Sequence, residues 1–358
     1  METAPYLEAL AAAHIPGDAA VTPLGTGLIN QTYKVTARSN GDKLLLQQVN
    51  TSVFPEPEKL QSNYETIWSW LEKTKNKKTG SPIVPRPLHF PGGGDLFRDS
   101  QKRYWRIVEY MEGTQTLDVA ANPGQAGKVA ATFARFTAGF EGFDSTALAI
   151  TIPGFHDLSL RYRQFQSSLH SREYERLLLA AETVKELKKR EHYVSFYEVV
   201  TGSDVFKQRV MHHDAKISNI LFDEATGDVV CPVDLDTCMP GYFFSDLGDM
   251  IRSMTSSEDE TSTRFDAMQI REDFYKAILE AYLDKMGDHL TGTEKRYIHY
   301  SGILIIYMQA LRFLTDYLHG DTYYRTSYPG QNLDRAKNQL ALLEKLENFL
   351  RKHYMVAL

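Results

Sequence analysis

Apolar residues change their rhythm along this chain. Through about the first 110 positions they form short, strand-length runs separated by turns, and from Asn122 onward they recur at helical intervals. Residues 4–14 have the spacing of a short amphipathic helix, stopped by Ile15-Pro16-Gly17. Residues 28–36 and 43–49 alternate as two strands. Asn40-Gly41 between them predicts a hairpin, since both residue types accept the positive φ of a tight turn. Residues 58–73 repeat Leu60, Ile67, Trp70 and Leu71 as a helix does, whereas the prolines of 82–91 and Gly92-Gly93-Gly94 exclude a regular element. Residues 96–97 and 104–110 complete a small antiparallel sheet. The strand signal then fades after Glu109-Tyr110-Met111-Glu112-Gly113, which predicts a hinge.

The remainder of the chain is largely helical. Residues 124–140 place Ala126, Val129, Ala130, Phe133 and Phe136 on one face, and 158–169 follow as a second helix. Residues 172–200 are a long charged stretch with Leu177, Leu178, Val184, Leu187 and Phe196 as core contacts. Residues 265–286 and 293–318 predict two further helices. In 333–350, Leu340, Leu343, Leu346 and Leu350 form a stripe that suits core packing. The expected fold class is α+β. Residues 1–110 would hold the small antiparallel sheet, and 111–358 a mostly helical remainder.

Amid these helices a single segment keeps strand character. Val210-Met211 leads into the polar loop His212-His213-Asp214-Ala215-Lys216-Ile217-Ser218-Asn219, and Ile220-Leu221-Phe222 leads out; a strand at 229–233 then delivers Asp234. Apolar framing holds such a loop at the mouth of a core. The spacing H-x-D-x-x-x-x-N followed by a strand-borne Asp is the kinase catalytic signature in outline. Asp214 can orient an acceptor hydroxyl and take its proton, while Asn219 and Asp234 offer hard oxygens to magnesium. His213 is a minor substrate candidate, and Lys216 could reach a γ-phosphate. Near the start, Gly25-Thr26-Gly27 precedes the predicted hairpin, where glycines let backbone amides approach an anion.

Composition narrows the partners. Among 358 residues the formal net charge is −6, and no basic block stands out to neutralise nucleic-acid phosphates. The locally basic stretch from Lys185 to Arg190 is interrupted by Glu186 and followed by Glu191, as on a solvated helix face. Cys231 and Cys238 make neither a zinc site nor a disulfide framework. With no apolar run long enough to span a bilayer and no basic-then-apolar leader, a cytoplasmic protein without nucleic-acid or membrane partners is expected.

Gly25 to Tyr33, Leu46 to Pro55 and Val233-Asp234-Leu235-Asp236-Thr237-Cys238-Met239-Pro240-Gly241 together resemble the N-acetylhexosamine 1-kinases. So do Leu311 to Tyr324, Tyr328-Pro329 and Asn332-Leu333. These are anomeric sugar kinases of the aminoglycoside phosphotransferase and choline kinase superfamily. The resemblance implies a bilobal protein-kinase-like fold, with 1–110 as the nucleotide-binding lobe and 111–358 as the lobe of the catalytic loop, metal site and substrate pocket. It also implies transfer of the ATP γ-phosphate, with Mg2+, to the C1 hydroxyl of a hexosamine. It assigns Asp214 as base, Asn219 and Asp234 as metal ligands, and Asp236 beside the metal or the sugar. Asp246 and Asp249 would brace the catalytic loop. The nucleotide would be held by Gly25, Thr26, Gly27, Asn30 and Gln47, with the adenine edge at Glu109 to Met111. Gln47 or Gln48 stands where other kinases carry a strand lysine, as is also the case in the sugar-kinase family, and leaves Glu65 without a lysine partner. Leu28 replaces a histidine of the closest family pattern. Arg312, Asp316, Tyr317, Asp321 and Tyr324 fall close together in the last third of the chain. Their aromatic and polar mix suits a neutral, hydroxyl-rich ligand better than a polyammonium antibiotic. The competing readings are a kinase of another small alcohol or plain hexose, and a non-catalytic nucleotide- or sugar-binding sensor. D-F-G and A-P-E, the marks of a protein kinase, are absent.

Overall fold

A computed structural model describes residues 4–24, 29–38, 41–75, 83–170 and 173–356. The glycine loop Gly25-Thr26-Gly27, with Leu28, lies outside them, as does Asn40 of the predicted hairpin turn. In chain order the elements are α1 (Leu7–Ala12), β1 (Ala20–Pro23), β2 (Gln31–Thr36), β3 (Lys43–Val49), α2 (Pro57–Thr74), β4 (Pro87–Leu88), β5 (Phe97–Arg98), β6 (Tyr104–Glu109) and β7 (Thr114–Gln115). There follow α3 (Pro123–Ala138), α4 (Leu158–Ser168), α5 (Tyr174–Leu179), α6 (Ala181–Lys188), α7 (His192–Thr201), β8 (Arg209–Met211), β9 (Ile220–Asp223), β10 (Val229–Pro232) and β11 (Met239–Gly241). The last are α8 (Phe244–Met254), α9 (Glu272–Met286), α10 (Gly292–Arg296), α11 (Tyr300–Leu318) and α12 (Gln331–Tyr354).

The chain forms two compact units. The first contains Met1–Thr116, Gly142–Pro153 and Ile220–Met239. Its main sheet runs β1-β2-β3-β6-β4, with β5 also on β6, and every pairing is antiparallel. The period-2 pattern of the strands sorts their side chains onto two faces. Val35, Leu46, Trp105 and Ile107 pack with Ala9 and Leu10 of α1 and with Phe90. The register puts Thr32, Gln47 and Arg106 side by side on the opposite face. Helix α2 buries Leu60, Tyr64, Ile67 and Leu71. The two-residue β4 corrects the expectation of no regular element in 82–91. Proline fits there because β4 is an edge strand, where a missing N–H costs no ladder bond. A second sheet, β10-β9-β7, carries the chain to Asp234.

The second unit contains Leu117–Glu141, Gly154–Asn219 and Pro240–Leu358. Helix α11 is buried along nearly its whole length and packs against α4, α8 and α12, while α3 packs on α9. Asn122 and Asp157 cap α3 and α4 by accepting from Gln125 N and Leu160 N. The charged stretch 172–200 divides into α5, α6 and α7. The last break lies beside Arg190, whose Nε and Nη2 donate to Glu347 at 2.9 and 3.0 Å, while Tyr193 Oη donates to the same carboxylate at 2.8 Å. Helix propensity alone does not foresee that distant anchor. Residues 265–286 likewise split into a 3-10 turn, Phe265–Ala267, and α9. Residues 293–318 split into α10 and α11. Helices α8 and α11 approach closely at two glycines: a Cβ on Gly248 would meet Ile305 and the Ser301 carbonyl oxygen, and one on Gly302 would meet Ile251 and Leu346.

Candidate active site

In the second unit, β8 leads into His212, which is fully buried with its ring edge-on to Phe133 and Phe136. The loop is pinned from α8. Asp246 accepts from His212 N at 2.9 Å through one oxygen and from His213 N at 2.7 Å through the other. This holds His213 at φ 64°, a conformation that costs a non-glycine residue about 1–2 kcal/mol. Burial pushes the Asp246 carboxyl up to about 7; the two amides pull it back, and Asp249 and Asp214 add repulsion. Asp246 therefore braces the loop, as expected. Asp249 pairs with Arg252 at 2.8 Å, and Arg252 in turn with Glu260.

Asp214 follows with its side chain 28% exposed. Lys216 Nζ lies 2.9 Å from Asp214 Oδ2, and Asn219 Nδ2 donates to the same oxygen at 2.7 Å and to the Asp214 carbonyl at 2.9 Å. Burial raises the Asp214 pKa, but Lys216, His212 and Asn219 outweigh it and hold the carboxyl below its ordinary value. It is ionised at neutral pH. Because Asn219 spends its amide nitrogen on Asp214, its carbonyl oxygen points elsewhere, and that hard oxygen suits a magnesium ion.

Beside this loop lies an aromatic and cationic cluster. His213 Nδ1 is 3.3 Å from His156 Nδ1, and the His156 ring stacks on Phe155. Arg312 lies over Phe155 and Tyr324, and its Nη1 donates to Gln309, which itself donates to Tyr324 Oη. Arg161 donates to the Phe155 carbonyl. Among the described residues no carboxylate lies within ion-pair distance of Arg161 or Arg312. Burial, with His213, Arg312, Arg161 and Arg252, holds His156 well below the ordinary histidine pKa. The surroundings are electropositive.

The other late candidates are engaged within the protein. Asp316, 5% exposed, accepts from the backbone N–H of Thr322, Tyr323 and Tyr324 and from Asn332, instead of pairing along the helix with Arg312. Asp321 accepts from Arg176 at 2.6 Å and from Asn332 at 2.9 Å. Tyr317 is buried, with the Arg176 guanidinium over its ring. These residues shape the segment that carries Tyr324. Arg312 and Tyr324 alone of the five belong to the cluster.

In the first unit Asp234 ends the strand segment at φ 61° and ψ 61°, a left-handed conformation, before the 3-10 turn Leu235–Thr237. Its carboxylate is a hard donor of the kind magnesium takes. Asp236, expected beside metal or sugar, is 3% exposed and works as a brace. Its Oδ1 lies 2.7 Å from Arg106 Nη1, and its Oδ2 accepts from Asn30 Nδ2 at 2.5 Å. Asn30 Oδ1 accepts from Asn50 N. Gln47 Oε1 accepts from Arg106 Nε at 2.9 Å, and Gln47 Nε2 donates to Thr32 Oγ1. Three candidates, Asn30, Gln47 and Asp236, are thus joined by a residue that sequence reasoning missed. Arg106 was visible only as an odd charge inside the apolar strand Tyr104–Glu109. Glu65 accepts from Gln61 and lies near His89 and Asp95. At the predicted hinge Glu109 N donates to the Arg86 carbonyl, and the Met111 carbonyl accepts from Thr114 Oγ1.

An antiparallel sheet lobe with a helical region, and a loop bearing Asp214 and Asn219, define a kinase-like α+β phosphotransferase fold. The chain belongs to the phosphotransferase enzyme family, whose model matches residues 20–289. Among solved structures it is similar to an aminoglycoside phosphotransferase from Alicyclobacillus acidocaldarius, at 14% identity and TM-score 0.64, over 99% of this chain and 97% of that one. A spectinomycin phosphotransferase solved with ADP and spectinomycin matches at 12% identity and TM-score 0.59, over 95% and 97%. An ethanolamine kinase from Plasmodium vivax matches at 13% identity and TM-score 0.53, over 90% and 82%.

Proposed function

We propose that the protein is an ATP- and magnesium-dependent small-molecule kinase whose acceptor is the anomeric C1 hydroxyl of an N-acetylhexosamine. The observation that carries the acceptor class is the cationic field of Arg161 and Arg312, neither within ion-pair distance of a carboxylate among the described residues, beside His156 and His213 next to the Asp214 loop. Such a field repels choline or a polyammonium antibiotic. Histidine, arginine and tyrosine donors suit the hydroxyl and acyl oxygens of a neutral sugar. Asp214, held ionised, orients the acceptor hydroxyl and takes its proton. Asn219 and Asp234 are the metal ligands in this reading. Bound magnesium would neutralise phosphate charge as the bond to the leaving oxygen breaks. ATP as donor is supported by the neighbour solved with ADP. Gly25, Thr26 and Gly27, with the segment from Glu109 to Met111, would hold the nucleotide; Arg312 and Tyr324 would face the sugar. Residues 1–110 then serve the nucleotide and 111–358 the acceptor.

The test is ADP release from magnesium-ATP with N-acetylhexosamines, plain hexoses, choline, homoserine and kanamycin, with phosphorus NMR of the product. A sugar 1-phosphate from N-acetylhexosamines is the expected result, with Asp214→Ala slower by roughly two or more orders of magnitude. Turnover on choline or kanamycin instead would overturn the acceptor reading. Intact nucleotide binding without turnover on any acceptor would favour the sensor.

A further inference from the structure

On the face of Gln47, strand β3 carries a lysine only at its start, Lys43, which pairs with Glu112 at 2.6 Å, and none at its centre. The antiparallel register sets Gln47 directly opposite Arg106 on β6, with Thr32 on the other side of Gln47. The three share the face turned away from the α1 core, where a strand lysine would stand. Arg106 is 2% exposed and lies over the Tyr64 ring of α2. Its guanidinium is divided in use. Nε goes to Gln47, and Nη1 approaches Asp236 at 2.7 Å in an ion pair whose angle falls short of a hydrogen bond.

Asp236 is two residues beyond Asp234, whose left-handed backbone is uncommon outside glycine, although aspartate is among the residues that adopt it. Such a turn is fixed in place by contacts from its surroundings. Here Arg106 and Asn30 hold the Asp236 carboxylate, Thr151 Oγ1 donates to the Asp236 carbonyl at 2.9 Å, and Asn63 Nδ2 donates to the Cys238 carbonyl at 3.2 Å. The only cation in that set is Arg106. Without it the sequence Asp234-Leu235-Asp236 would place a buried anion beside a second carboxylate.

We infer that Arg106 is a positioning residue for Asp234, supplying from β6 the fixed buried cation that β3 lacks. It acts through Asp236, so that the carboxylate of Asp234 is presented to a nucleotide-bound divalent metal. The inference rests on the reading of Asp234 as a metal ligand.

The experiment measures manganese-ADP affinity of the full chain by electron paramagnetic resonance of unbound Mn2+, with thermal melting as the check on folding. Removing Arg106 alone would strand Asp236, so the neutral pair Arg106→Gln/Asp236→Asn is used; replacing both partners of a buried pair commonly preserves stability. Asp234→Asn is the control. The expected result is a folded neutral pair that binds manganese-ADP roughly tenfold more weakly or worse. In Gln47→Lys/Arg106→Gln, which returns the cation to β3 opposite its present site, affinity should recover to within about threefold of wild type. A purely structural Arg106 would not show rescue by a relocated charge. Unchanged affinity in the neutral pair, with affinity lost in Asp234→Asn, overturns the inference and leaves the metal reading intact. Unchanged affinity in Asp234→Asn overturns both. If the neutral pair does not melt cooperatively, the relocated-charge variant decides alone: recovery supports the inference, and a folded protein with a tenfold loss overturns it.

Discussion

Asp246→Asn separates two contributions of one buried carboxylate. Wild-type Asp246 is 1% exposed, and burial pushes its pKa from 3.8 to about 7. Between those values the folded protein keeps a proton that the unfolded chain has released. Its stability contribution is therefore fully present below the unfolded pKa and is lost as pH rises through about 7. From about pH 5 to about pH 8 this group alone should cost the wild type roughly 3 kcal/mol. Asparagine carries no such term, but it points an NH2 group at one of the His212 and His213 amides, leaving a buried N–H unsatisfied at about 1–3 kcal/mol. The variant should thus be the less stable protein at about pH 5, with the gap closing or reversing by about pH 8. Urea unfolding followed by far-UV circular dichroism reads this, because the helices of the second unit dominate that signal. Fluorescence would not, since Trp68, Trp70 and Trp105 all lie in the first unit. A wild-type-minus-variant difference that stays constant with pH to within about 0.5 kcal/mol would refute the reasoning.

Three further outcomes are expected. Gly248→Ala should destabilise by about 1–3 kcal/mol in chemical denaturation, because the Ser301 carbonyl oxygen in its way is helix backbone and cannot swing aside. Glu347→Ala removes the partner of the Tyr193 hydroxyl and one of the two carboxylates on Arg190, the other being Glu186, and should cost about 1–3 kcal/mol; a loss under about 0.5 kcal/mol would show that the pair is dispensable. Arg312→Ala should raise the acceptor KM roughly tenfold with the ATP KM unchanged, and steady-state kinetics with either substrate varied checks the split.

How much of this was legible beforehand follows from distance along the chain. Strand β3 spans the residues 43–49 that alternation predicted, and α2, α3 and α4 lie within a residue or two of their periodic segments. Periodicity and capping are local, so a linear pattern carries them. The grouping of the loop's side chains was legible for the same reason: Asp214, Lys216 and Asn219 meet within six positions. Tertiary structure alone decided the rest. Asn30 and Asp236 are joined across 206 positions, and only the sheet register brings Arg106 and Gln47 to that pair. It likewise brought three backbone amides and Asn332 to Asp316, and Arg176 and Asn332 to Asp321. A residue's type states what it can bind. Which partner it meets depends on contacts between distant segments, and no pattern of neighbours along the chain encodes them.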